Sequence, residues 1–181
     1  MELIQMMQNR RSVRKYTGEP VGEEALKKVV QAGLLSESGK GLRPWEFIVV
    51  QDKEMLRKMA DCRAGRAKML DGADCAVVVL GDSDKTDVWT EDCSVAMAHM
   101  HLMADSLGLG SCWLQGRLRK AEDGRDTEEF LRELLGYPAN YKLEAVLVLG
   151  MPAEHAPAYD LEALPMEKVH GETFGKAMEW K

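Results

Sequence analysis

Apolar residues recur along the chain with two periods, and each predicts an element. Leu3, Ile4 and Met7 mark a short first helix that ends near Asn9 and Arg10. After Gly22, the residues Leu26, Val29, Val30, Gly33 and Leu34 return at helical spacing, and Glu23 and Glu24 suit the positive N-terminal end of that helix. Asp52 can cap a third helix with Met55, Leu56 and Met59 turned inward. Residues 92–107 predict a long helix that is small or apolar on most sides, which places it in a core or against a partner subunit; Gly108 and Gly110 end it. Thr127 can cap a further helix carrying Phe130, Leu131, Leu134 and Leu135, stopped by Gly136 and Pro138. Between these lie strand-like runs. They are WEFIVVQ at 45–51, a stretch at 73–80 containing CAVVVL and reading as buried on both faces, the short segment SCWLQ at 111–115, and LEAVLVL at 143–149.

Residues 36–44 are small, polar and glycine-containing, a loop in which Pro44 keeps Arg43 out of helical geometry. Three or four strands separated by helices make an α/β or α+β layered fold. No repeat or interdomain linker interrupts it, so residues 1–181 form one domain. The segment 152–181 has weak periodicity and is expected to run over a surface, that of a neighbouring subunit included.

Composition narrows the function classes. The chain has 181 residues and 45% apolar content, enough to build a core rather than remain disordered. No uncharged apolar run is long enough to span a membrane. The N-terminal stretch puts its apolar part before its positive charges, opposite to a secretory signal, so a cytoplasmic location is expected. A net charge of −6 argues against nucleic acid as a partner. The four cysteines, Cys62, Cys75, Cys93 and Cys112, form no CxxC pair and read as buried, reduced thiols.

The strongest local anomaly is Arg10-Arg11-Ser12-Val13-Arg14-Lys15, four cations in six residues of an acidic chain, just past a helix end. Guanidinium groups beside a hydroxyl suit a phosphate; a solvated basic patch is the plainer alternative. GLGSC at 108–112 is neither GxGxxG nor a P-loop, and a simple helix stop explains it equally well. His99 and His101 are two apart, so a helix points them in nearly opposite directions and they cannot chelate one metal. No metal site, HExxH, GxSxG or carboxylate pair is evident.

Taken in order, the segments resemble the nitroreductase family of FMN-dependent oxidoreductases. The resemblance rests on RRSVRKYTGEPV at 10–21, SESGKGLRPWEFIVV at 36–50, KMLDGADCAVVVLGD at 68–82, EDCSVAMAHMHLMADSLGLGSCWLQG at 91–116, LLGYP at 134–138 and LEAVLVLGMP at 143–152. It implies an α+β fold with a central, mainly antiparallel sheet flanked by helices. It also implies a homodimer with FMN in the interface and NAD(P)H as electron donor. Electrons would pass through flavin N5 to a small flat acceptor such as a nitroaromatic or quinone. By the same resemblance Arg10, with Arg11 and Ser12, binds the flavin phosphate. Arg14 and Lys68 reach the N1/O2 edge, where a cation matches the negative charge of the reduced ring. Ser38 and Gly39 come from the other subunit, Gln115 and Gly116 present backbone to the N5 side, and Gly150 lies near the ribityl-phosphate end.

The chain departs from the family pattern in two places. Glu37, Ser38, Gly39, Gly41 and Arg43 stand where many members carry a proline, serines, an asparagine and a glutamine. After Gly150-Met151-Pro152, where a basic residue often follows, only His155 is near, which shifts phosphate binding toward Arg10 and Arg11. Three alternatives remain at this level: a relative with dehalogenase-like or flavin-processing chemistry, a flavin-binding protein without turnover, and a colourless domain with a basic patch.

Overall fold

A computed structural model of the chain describes residues 2–180. The elements run α1 (Leu3–Asn9), α2 (Glu23–Leu34), β1 (Trp45–Val50), α3 (Lys53–Met59), α4 (Met69–Gly72), β2 (Cys75–Asp82), α5 (Trp89–Ser106), β3 (Gly110–Gln115), α6 (Thr127–Leu135) and β4 (Tyr141–Gly150). The four strands form one sheet in the order β1-β2-β4-β3, and every pairing is antiparallel.

Strand alternation sorts the apolar side chains into two cores. Ala76, Val78, Leu80, Val146 and Val148 face the side covered by α3, α4 and α6, where Leu56, Leu70 and Leu131 pack. Cys75, Val77, Val79, Leu147 and Leu149 face α2 and α5, meeting Val29, Met97 and Met100. With helices on both faces, β2 and β4 are buried on both sides, which is why their sequences are unbroken apolar runs although the pairing is antiparallel. The register slips between Val79 and Leu80, so Ala145 opposes Val79 and Leu143 opposes Leu80. Glu144 is the extra residue of this bulge, and Leu143 therefore turns into the α3/α4/α6 core.

Most helix ends follow the sequence. Asp52 caps α3 by accepting from the Met55 amide at 2.7 Å, and Gly136 closes α6 in the left-handed region at φ 76°. Two ends differ. The long helix starts at Trp89, earlier than the apolar pattern predicts. Thr127 does not cap α6: Asp126 holds the cap position, while the buried Thr127 hydroxyl donates to the Cys62 carbonyl at 2.6 Å. A tertiary partner has taken the hydroxyl that local geometry would have used for a cap. Arg43 lies outside right-handed helical geometry, at φ 49°.

The four cysteines are buried and unpaired, and burial pushes the Cys62, Cys75 and Cys93 thiols up to about 12. The segment 152–180 is mostly exposed, with one 3-10 turn at Met166–Lys168. No helix among the described residues is long and apolar enough to cross a membrane, and none of their His, Cys, Asp and Glu side chains cluster as a metal site.

Candidate functional site

The cationic segment docks along the outer edge of the sheet. Ser12 pairs with Ser111 of β3 in a parallel bridge, and the Val13 amide donates to the Ser111 carbonyl at 2.9 Å. Tyr16 then pairs with Pro152, just past β4. A buried anchor, Val13, and a half-buried one, Tyr16, fix this path. Val13 is packed against Gly110, and the Tyr16 hydroxyl donates to the Val13 carbonyl at 2.8 Å. A Cβ on Gly150 would sit 2.7 Å from the Tyr16 ring, so the space that this glycine leaves is filled by Tyr16.

The four cations so placed have different surroundings. Lys15 pairs with Glu154 at 2.9 Å. Arg11 lies over the Tyr159 ring, 4.3 Å from its centroid, and donates to the Pro157 carbonyl. Arg10 donates to His101 Nε2 at 2.9 Å, and Arg14 reaches only the Ser12 carbonyl at 3.5 Å. Among the described residues, no carboxylate lies within 4.0 Å of Arg10 or Arg14. The hydroxyl-bearing Ser12 is exposed beside them. His155 Nε2 lies 3.6 Å from Asp105 Oδ1 on α5.

At the opposite end of β3, Gln115 and Gly116 form a second cluster, about 17 Å from Gly110 at the usual rise per residue. The Gly116 and Arg117 amides both donate to the Glu144 carbonyl, at 3.3 and 2.9 Å. The Gln115 carbonyl accepts from Arg63 at 2.8 Å, and its side chain accepts from the Trp113 indole at 2.8 Å. An open cleft of about 550 Å³ begins here, with Gly116, Arg117, Arg119, Trp89 and Lys142 on its walls.

The remaining predicted residues stand apart within the single chain. Gly39 donates its amide to Asp92 Oδ1 at 2.8 Å, near the start of α5, and the Ser38 hydroxyl accepts from the Arg43 amide at 2.9 Å. Lys68 is exposed at the N-terminus of α4. No hydrogen bond joins Ser38, Gly39 or Lys68 to either end of β3 among the described residues. Glu37, the substituted loop residue, is exposed and faces His99 Nε2 at 4.0 Å.

Several residues near the two clusters escape sequence reasoning. Arg63 looks like any surface cation until it meets the Gln115 carbonyl. His101 enters the sequence reading just as a histidine that cannot share a metal with His99, with nothing to mark it as a partner of Arg10. Glu144 is a lone acid inside an apolar run, a signal that could have been noticed. It is 4% exposed, one oxygen accepts from Ser94 at 3.2 Å, and the other has no partner. Burial raises its carboxyl pKa against the opposing effects of the Ser94 bond and Arg117. Asp92 Oδ2 is likewise buried and unpartnered.

The model of the Nitroreductase family matches residues 7–65 and 59–151. A solved FMN-dependent nitroreductase from Clostridium difficile R20291 is 42% identical, with a TM-score of 0.91 over 94% of this chain and 99% of its own. A protein of Archaeoglobus fulgidus named "Putative NADH dehydrogenase/NAD(P)H nitroreductase" is 36% identical over 165 residues, 89% of this chain and 91% of the relative. The Bacillus subtilis "FMN reductase [NAD(P)H]" is 29% identical over 195 residues, covering 96% of this chain and 74% of the relative.

Proposed function

The chain belongs to the nitroreductase family, and from that premise we propose that it is an FMN-dependent NAD(P)H oxidoreductase acting on a small flat acceptor such as a nitroaromatic or quinone. The observation that carries this reading is the pair of guanidinium groups, Arg10 and Arg14, held at the sheet edge without a neutralising carboxylate. Such uncompensated charge suits a phosphate dianion and an electron-rich ring edge.

The residues present fit FMN. Arg10 and the Ser12 hydroxyl would hold the phosphate, Arg14 and Lys68 would supply positive charge to the N1/O2 edge, and Gln115 and Gly116 would line the N5 side, with the Gly116 amide and the Gln115 carbonyl fixed in place by Glu144 and Arg63. The separation of the two clusters along β3 suits an elongated ligand. Arg11 contributes less than the resemblance suggests, because Tyr159 and Pro157 already occupy it. Gly150 acts indirectly, by admitting Tyr16 and so fixing the cationic segment. When bound, FMN supplies the two-electron redox centre between reduced nicotinamide and acceptor, which leaves the side chains to bind, orient and carry charge.

Ser38 and Gly39 join the site from a second subunit in this reading. A homodimer is supported by surface that a lone chain leaves uncovered. No residue of α1 is buried, Leu35 is 84% exposed, and Phe174 is 93% exposed. An apolar groove lined by Leu3, Met6, Leu35, Leu102 and Met103 runs between α1, α2 and α5. Residues 153–159 lie against the chain's own cationic segment, so the part of the 152–181 tail that packs on the partner is the stretch beyond Tyr159, and residues 1–181 form one flavin-binding domain completed by dimerisation. The unpaired cysteines suit a reducing, cytoplasmic setting.

The purified yellow protein should bleach anaerobically with NADH or NADPH and recolour when a quinone or nitroaromatic is added. Failure to bleach with either nucleotide would refute turnover. Light scattering should give twice the 20.2 kDa chain mass. A flavin-loaded monomer would refute the shared site.

A further inference from the structure

We infer that His101 is a positioning residue for Arg10, fixing its guanidinium for a phosphate without neutralising it. This rests on the reading of Arg10 as the phosphate anchor. His101 lies on α5 and is 6% exposed. Its Nε2 is 2.9 Å from Arg10 Nη1, and its Nδ1 is hydrogen-bonded to the Ser111 hydroxyl. A guanidinium can only donate, so Nε2 must carry the lone pair and the ring proton must sit on Nδ1, directed at Ser111. Burial, reinforced by the Arg10 charge, lowers the His101 pKa to about 4, which keeps the ring neutral at physiological pH.

The neutrality matters because a carboxylate at the same place would orient Arg10 equally well but would cancel its charge and compete with the incoming anion. An uncharged acceptor gives orientation alone. The scaffold around the pair is shared. One turn along α5 from His101, Asp105 accepts from Asn9 at 3.2 Å, so consecutive residues at the end of α1 are tied to one face of α5. Ser111 in turn is the β3 residue whose carbonyl receives the Val13 amide. Helix, strand edge and cationic segment thus meet at one imidazole. Arg10 and His101 also line an adjoining cavity of about 210 Å³ with Met7 and Trp113.

The test compares FMN with riboflavin, which lacks the phosphate, by fluorescence titration of the full chain stripped of its flavin. His101→Leu should weaken FMN about tenfold, the loss of one charged hydrogen bond, while leaving riboflavin almost unchanged. His101→Gln, which can accept from Arg10 and donate to Ser111, should restore most of the FMN preference. Equal weakening of both flavins by the Leu variant, or a Gln variant as poor as Leu, would overturn the inference. If His101→Leu fails to fold, Ser111→Ala carries the test, since it frees the imidazole while keeping it in place. An unchanged FMN preference there would also overturn it. Arg10→Ala separates the two levels. If Arg10→Ala leaves the FMN preference intact, the anchor reading itself fails. If it abolishes the preference while the His101 variants do not, only the positioning role fails.

Discussion

Glu144→Gln should stabilise the protein at neutral pH and do so less as the pH falls. The wild-type side chain sits at a bulge between two apolar cores, 4% exposed, with Oε1 on the Ser94 hydroxyl and Oε2 unpartnered. Burial raises its pKa above the unfolded value, so the folded chain holds this proton to higher pH than the unfolded chain does. Between the two values the folded state binds more protons, and stability falls as pH rises through that window. Above both, the full cost of a buried carboxylate is in place; below the unfolded value, near about 4.3, it is absent. Gln keeps an oxygen for Ser94 and removes the charge at every pH. Its backbone carbonyl still receives the Gly116 and Arg117 amides, so the cleft end of β3 is preserved. Gln leaves a polar group at the unpartnered position but removes the charge, whose burial costs about 1–3 kcal/mol more than that of the neutral group. At about 2–4 °C per kcal/mol for a chain of this size, the midpoint should rise by about 2–12 °C at pH 8. Thermal melts of wild type and variant from pH 4 to pH 8, with and without flavin, would measure the difference. A gap that stays constant with pH, or a variant that melts lower at pH 8, would refute the reasoning.

Two further substitutions probe how the cationic segment is held. Tyr16→Phe removes the donor to the Val13 carbonyl and should cost about 1 kcal/mol, seen as a midpoint lower by about 2–4 °C; an unchanged melt would show that the hydroxyl does not fix the segment. Gly150→Ala brings a methyl group within 2.7 Å of the Tyr16 ring and should cost about 1–3 kcal/mol in chemical denaturation, as overpacking does. Combining it with Tyr16→Leu should recover part of that loss, and strict additivity would deny the contact.

The chain pattern alone determined five of the six helices, the strand-like runs and the presence of a cationic segment at 10–15, but not the one-turn helix α4 (Met69–Gly72), which is too short to carry a period. Periodicity of apolar residues is set by which faces are covered, and that information is local: CAVVVL reads as buried on both sides whatever its neighbours, and LEAVLVL reads as a strand. The order β1-β2-β4-β3, the slip at Val79 and the placement of Glu144 could not be read this way, because register depends on partners distant in sequence. The same limit applies at the site. Arg10, Arg11, Arg14 and Lys15 are near-equivalent as letters. Three of them meet counterparts from other parts of the chain, His101, Tyr159 and Glu154, while Arg14 reaches just the Ser12 carbonyl two residues away, and these differences decide which of them keep their charge available. Thr127 shows the converse, a sound local cap signal outcompeted by a carbonyl 65 positions away. Local sequence thus set which groups exist and what they can bond; only long-range packing chose the bonds, because a buried donor or acceptor takes whichever partner the fold brings within reach.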